Sequence, residues 1–126
     1  MTADKSVEFV KKAVSLLDAK KAEDIVVLDI RELTSMGDFF IIASAGNTTL
    51  VKTLADEIED KFSQEGVEPR RVEGASSAMW ILMDYADVVI HIFYNETRDF
   101  YCLERLWADA PRLEVKDGAI LTEEGR

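Results

Sequence analysis

The feature that most constrains this chain is a pair of apolar runs, MWILM at residues 79–83 and VVIHIFY at 88–94, with only Asp84-Tyr85-Ala86-Asp87 between them. Their β-branched and aromatic content marks them as strands. So short a connection favours an antiparallel hairpin. Alternation sets Trp80, Leu82 and Asp84 on one face of the first run, and Met79, Ile81 and Met83 on the other. Both faces are apolar, whereas a half-buried sheet needs only one such face. The second face is therefore either covered by a helix or left bare as a docking patch. Tryptophan is strongly enriched at interaction hot spots, so Trp80 is the leading contact candidate, with a plain core tryptophan as the alternative.

The remaining elements group around that hairpin. Val7, Val10, Val14 and Leu17 recur at helical spacing, with Lys11, Lys12 and Asp18 off the stripe, predicting an amphipathic helix over about 4–19. IVVLDI at 25–30 and FFIIA at 39–43 read as strands. Asn47 and Thr48 offer N-caps to a second helix carrying Val51, Leu54, Ala55, Ile58 and Phe62 on one side, and Gly66 is placed to end it. RRVEG reads as a short strand. Asn95 caps a third helix with Phe100, Leu103, Leu106 and Trp107 on its apolar side. The order α-β-β-α-β-β-β-α lacks strict βαβ alternation. It predicts an α/β (α+β) fold: a two-layer, mixed sheet of about five strands with helices packed on it. Residues 1–107 read as one domain, and 108–126 as a loosely ordered tail.

The chain of 126 residues carries 15 Lys plus Arg against 25 Asp plus Glu, a formal charge of −10. Its 48% hydrophobic and 9% aromatic content excludes a disordered chain. No apolar run approaches the roughly 18 residues of a membrane span. The single cysteine, Cys102, excludes a disulfide framework and a multi-thiolate zinc site. The acidity disfavours direct, sequence-specific nucleic-acid binding, since a phosphate backbone selects a basic footprint. Arg70-Arg71 is the only tight basic pair beyond the first helix. A basic protein surface is the more natural partner. The N-terminal segment mixes charges into its apolar residues and does not read as a secretory signal, so the expected location is the cytoplasm.

Candidate catalytic chemistry is thin. His91 is the only histidine and shares a strand face with Val89 and Phe93. A nucleophilic arrangement with Ser76, Ser77 or Cys102 lacks a G-x-S-x-G elbow, so a structural histidine with one hydrogen bond is the favoured reading. Asp84 and Asp87, with Glu73 nearby, are a conceivable magnesium cluster. They are three residues apart, however, and no strand carries the acid-x-acid pair that points two carboxylates the same way. Turn-forming aspartates are favoured. Gly46-Asn47-Thr48-Thr49 opens a helix but lacks the glycines and lysine of a phosphate loop.

The segments GDFFIIASAGN, TLADEIEDKF and EGASSAMWILMDYADVVIHIFYNETRDFYCLERLW resemble the ribosomal silencing factor family, also called RsfS or Iojap-like, over roughly residues 5–107. The spaced block Trp80, Asp84, Asp87, His91, Arg98, Tyr101, Leu103, Glu104 and Trp107 carries the resemblance. The Phe39-Phe40 pair and the segment after Trp107 depart from the usual family pattern. The resemblance implies a non-enzymatic translation regulator with a nucleotidyltransferase-like fold. It implies binding to protein fourteen of the large ribosomal subunit and a block on joining of the small subunit when nutrients are scarce. It also implies a tryptophan, Trp80 here, in the contact surface, and a homodimer in the free state.

The expected partner-binding set is Trp80 as anchor, Leu82 and Tyr85 extending the apolar patch, and Glu73, Asp84 and Asp87 pairing with basic residues of the partner. No catalytic residue, metal or cofactor is expected. Trp80→Ala is expected to abolish large-subunit binding with stability nearly intact. The rival readings are a nucleotidyltransferase-like, nucleotide-handling enzyme, against which the missing acid pair argues, and an acidic adaptor for another basic protein.

Overall fold

A continuous run of strand-forming residues buried on both sides demands a sheet covered on both faces. In this chain that role falls to β2 (Phe39–Ala45) and β5 (Val88–Tyr94), which pair in parallel over seven positions, from Phe39↔Val88 to Ala45↔Tyr94. The computed structural model describes residues 3–35, 37–101, 105, 107–116 and 119–121. The other elements are α1 (Ala3–Ala19), β1 (Glu23–Asp29), α2 (Thr48–Ser63), β3 (Arg71–Glu73), β4 (Trp80–Asp84), α3 (Asn95–Tyr101), β6 (Arg112–Lys116) and β7 (Ala119–Leu121). The strands form one mixed sheet in the order β3-β4-β5-β2-β1-β6-β7.

The sheet has seven strands rather than about five. The two extra strands fall in the segment expected to be a loose tail. Residues 112–116 pair antiparallel with β1 through Val27↔Leu113 and Leu28↔Arg112, and then with β7. Leu113 is buried within the main core. The alternation Leu113-x-Val115 inside RLEVK is a period-2 pattern masked by its charged neighbours. Cys102, Leu103, Glu104 and Leu106, assigned to the third helix from sequence, lie outside the described residues.

Helices α1 and α2 cover one face. Val10, Ala13, Val14 and Leu17 meet Val51, Leu54, Ile58 and Phe62 over Ile41, Ile81, Met83 and Ile90. Phe9 stacks on Phe62 with ring centroids 4.0 Å apart. Each aliphatic or aromatic side chain buried here contributes about 1.5–3 kcal/mol. Asn47 caps α2 by accepting the Leu50 N–H at 2.7 Å. At the far end Gly66 takes φ +80, while Val67 N–H reaches Phe62 O and Gly66 N–H reaches Ser63 O, both at 2.9 Å. That pair of bonds is a Schellman closure, and its left-handed residue is the reason a glycine stands there.

Among the described residues the opposite face is more thinly covered. Leu28, Ile30, Phe40, Ile42, Val89 and Phe93 form a second apolar layer, which Val26, Trp80, Leu82 and Trp107 flank while staying partly exposed. Phe40 meets Trp107 edge-on at 5.1 Å. From α3, Arg98 reaches this side to give its Nη1 hydrogen to Ser44 Oγ at 3.1 Å. Among the described residues no helix is long and apolar enough to cross a membrane.

Candidate partner-docking surface

Trp80 opens β4 beside the thinly covered face, and its register partner across the hairpin is Phe93. The indole stacks on Phe93 at 4.8 Å and 28° between planes. Its Nε1–H donates to Nδ1 of His91 at 3.1 Å. Trp80 is therefore fixed at one edge and one face, yet it stays half-buried. Leu82, next on the same face, is also half-buried. A tryptophan held in place while still half-exposed meets a partner with little ordering cost, the arrangement that favours affinity.

His91 is buried beneath this patch, flanked by Phe40 at 4.9 Å. Burial among aromatic rings penalises its charged form and pulls its pKa down to about 4. Its Nδ1 accepts the Trp80 hydrogen, so the neutral ring carries its own proton on Nε2. His91 makes one side-chain hydrogen bond, to Trp80, and its Nε2 has no partner among the described residues. Ser76 and Ser77 are exposed in the turn before β4.

Two members of the expected contact set sit elsewhere. Tyr85 is 4% exposed and points to the helix-covered face, where its ring meets Phe9 at 4.9 Å and Phe62 at 5.6 Å. It lies one residue past Asp84, so strict alternation takes it away from Trp80. Burial, with Glu59 and Glu68 adding negative field, pushes its phenol pKa well up. Asp84 does share the Trp80 face, but it is 5% exposed and already paired. Arg70 contacts its carboxylate at 3.1 Å and Arg71 at 3.4 Å. It also accepts the Ala86 N–H at 2.8 Å, which supports the positive φ of 75° at Ala86. Burial alone raises an aspartate's pKa, but the Ala86 hydrogen bond and the two guanidiniums outweigh it and hold Asp84 below the usual range. Neither residue is available to a partner as expected.

Glu73 and Asp87 fare differently. Glu73 is exposed, lies across from Leu82 in the β3–β4 register, and pairs with Arg71 at 3.2 Å. Asp87 is half-buried at the hairpin end, where its carbonyl receives the Asp38 and Phe39 N–H groups. The rim on the Arg70 side is thus mixed in charge. The cations Arg70 and Arg71 were legible only as a basic pair; the fact that they guard Asp84 follows from the register Arg71↔Asp84.

Two clefts open on this side. The larger, about 480 Å³, is polar and is lined by Ser44, Asn95, Arg98, Asp99, Asp24 and Arg112 among others. The smaller, about 270 Å³, has His91, Phe40, Leu82, Asp84, Arg70 and Arg71 in its walls. Among the described residues no group of three or more histidine, cysteine, aspartate or glutamate side chains is arranged to hold a metal ion.

Known proteins are similar to this chain in sequence and fold. The family model described as ribosomal silencing factor during starvation matches residues 3–126. This chain belongs to the ribosomal silencing factor family. It is 38% identical to a ribosomal silencing factor RsfS of Halalkalibacterium halodurans over 109 residues, covering 86% of this chain and 93% of that one. It is 37% identical to the RsfS of Bacillus subtilis over 108 residues, covering 86% and 92% respectively. A crystal structure of a Chromobacterium violaceum protein superimposes with a TM-score of 0.79 at 35% identity, covering 86% of this chain and 88% of that one. The RsfS relatives carry the name of a regulatory factor rather than of an enzyme, and the mixed α/β fold is that of a solved relative.

Proposed function

We propose that this silencing-factor chain lowers translation by docking on the large ribosomal subunit, at its protein fourteen, and sterically blocking the joining of the small subunit under nutrient limitation. Membership in the RsfS family supports a ribosome-associated, translation-regulating role. The single observation that carries the surface assignment is Trp80, held by Phe93 and His91 yet left half-exposed beside Leu82. Trp80 and Leu82 form the centre of the contact, and Glu73 and Asp87 supply acids at its rim. The overall charge of −10 steers the chain toward a basic protein surface. In the free state the same chain pairs with a second copy, which light scattering on the purified protein tests.

The decisive experiment is a sucrose gradient of separated subunits, with and without excess protein, at magnesium concentrations that favour joining. The expected result is persistence of free subunits with the native chain and joining restored with Trp80→Ala. Loss of a hot-spot indole costs about 2 kcal/mol or more of binding, roughly a thirtyfold drop in affinity. Subunits that join normally in the presence of excess native protein overturn the reading.

A further inference from the structure

The small cleft beside Trp80 has features that the docking patch does not use. His91 stands in its wall, and its Nε2 is buried with no hydrogen-bond partner among the described residues. Because Nδ1 accepts from Trp80, that Nε2 is a donor. A buried donor without an acceptor is rare in folded proteins and marks a place where an oxygen belongs. Across the cleft, Arg70 spends Nε and Nη2 on Asp84, and Arg71 spends Nε on Asp84 and Nη1 on Glu73. Arg70 Nη1 and Arg71 Nη2 make no bond among the described residues. Two guanidiniums and the Asp84 carboxylate stand in the cleft walls, and Glu73, paired with Arg71, makes the cluster neutral overall, on a chain whose total is −10. The remaining wall is made by Phe40, Leu82 and Val89, with Ser35 as its one further polar residue.

We propose that this cleft is a binding site for a carboxylate group, one oxygen taken by the His91 Nε2–H and the other by the free edges of Arg70 and Arg71. A planar carboxylate matches the fork geometry of the two guanidinium edges. A phosphate monoester brings close to two negative charges against the Asp84 carboxylate in the same wall. The volume of about 270 Å³ falls under the usual range for a cofactor-sized ligand, so the site takes a small acid or one acidic side chain, not a nucleotide. The carboxylate has two sources, a free small monocarboxylate or an Asp or Glu side chain of the docked partner, and only the second rests on the docking reading above.

Acetate is the probe. It is titrated into the full chain carrying ¹⁵N-labelled histidine, with sodium chloride and acetamide as matched controls, and the His91 Nε2 resonance is followed. A saturable shift with acetate and none with acetamide is expected. Arg70→Gln with Arg71→Gln is expected to weaken acetate by about tenfold, the size of one lost charge-assisted hydrogen bond. His91→Phe keeps a ring in place and is expected to abolish the response read at the amides of residues 70 and 71. A response to acetate no different from chloride or acetamide, or one undiminished in the arginine variant, overturns the proposal. The source is read by pelleting with large subunits. Acetate that weakens co-pelleting more than chloride does assigns the cleft to a partner's acidic side chain; unchanged co-pelleting alongside acetate binding assigns it to a free acid. Acetate binding by a chain that never pellets overturns the docking reading and leaves the cleft assignment standing.

Discussion

The indole Nε1 of Trp80 and the Nδ1 of His91 lie 3.1 Å apart, joining a half-exposed residue to a buried one through a single hydrogen bond. The bond runs between β4 and β5, on the face opposite the helices, and it fixes the imidazole tautomer as well as the indole. Trp80 is therefore not separable from the fold in the way a free surface tryptophan is. Trp80→Phe keeps a ring over Phe93 but removes the donor, leaving Nδ1 unsatisfied. The expected cost is about 1–2 kcal/mol of unfolding free energy, read from the urea midpoint. Trp80→Ala also loses the stack, worth about 1 kcal/mol beyond its area, so it lowers stability by about 2–3 kcal/mol. The sequence-based expectation of near-intact stability in that variant is corrected by this geometry. A Trp80→Phe chain as stable as the native one overturns the bond's role.

The same histidine sets a pH dependence. Its folded pKa is about 4 against an ordinary value of 6.5, so the folded state holds fewer protons than the unfolded state between those values. Above pH 6.5 the ring is neutral in both states and the contribution is fully present. As pH falls from 6.5 toward 4 the unfolded chain takes up a proton first, and stability declines by about 3 kcal/mol in total. Below that window the loss is complete, while Asp84 and Asp29, held below 3.8, begin to contribute their own acid losses. Urea unfolding at several pH values, on the native chain and on His91→Phe, checks this. The decline between pH 6.5 and 4 is expected to flatten in the variant, and an identical slope in both rules His91 out.

Much of this surface was legible from alternation alone. The pattern in MWILM places Trp80, Leu82 and Asp84 together and Ile81 and Met83 apart, and the sheet is built that way. Carried one residue further, the same rule assigns Tyr85 to the helix side, and grouping it with the patch overlooked its own parity. Asp84 was missed for another reason. Its parity is right, but its partners Arg70 and Arg71 reach it through the β3–β4 pairing, a contact fourteen residues away that no local pattern encodes. The partner of His91 is of the same kind, fixed by the hairpin register and not by its neighbours. β6 and the three-residue β7 were hidden because a short strand with charged residues around two apolar positions resembles a polar tail.

Tyr85 gives a test of its placement. Its hydroxyl is buried without a partner among the described residues, and its ring packs against Phe9 and Phe62. An unmet buried hydroxyl costs about 1 kcal/mol or more, so Tyr85→Phe is expected to hold stability or raise it by up to about 1 kcal/mol. It is also expected to leave large-subunit co-pelleting unchanged, since the ring faces α1 and α2. Urea unfolding and pelleting of the one variant check both. A loss of pelleting with stability retained returns Tyr85 to the contact surface.

Gly74 bears directly on how Trp80 is presented. Its φ is +86, and a Cβ built on it falls 2.0 Å from the carbonyl oxygen of Trp80 and 3.1 Å from its carbonyl carbon. Both are backbone atoms, so no side-chain rotation relieves the clash. The turn from β3 to β4 closes with Ala78 N–H donating to Gly74 O at 3.0 Å, which ties the glycine to the same short loop. Gly74→Ala therefore combines a left-handed backbone with a collision at the first residue of β4. The expected loss is about 2–3 kcal/mol of stability, with Trp80 displaced from Phe93 and His91. Indole fluorescence reports the displacement, and urea unfolding reports the cost. Gly66, equally left-handed at φ +80 but with nothing within 4 Å of its Cβ position, is the control. Gly66→Ala is expected to cost only about 1 kcal/mol of backbone strain and to leave the indole signal unmoved. Equal effects at the two glycines mean that backbone strain alone decides, and that the approach of Gly74 to Trp80 carries no weight in positioning the indole.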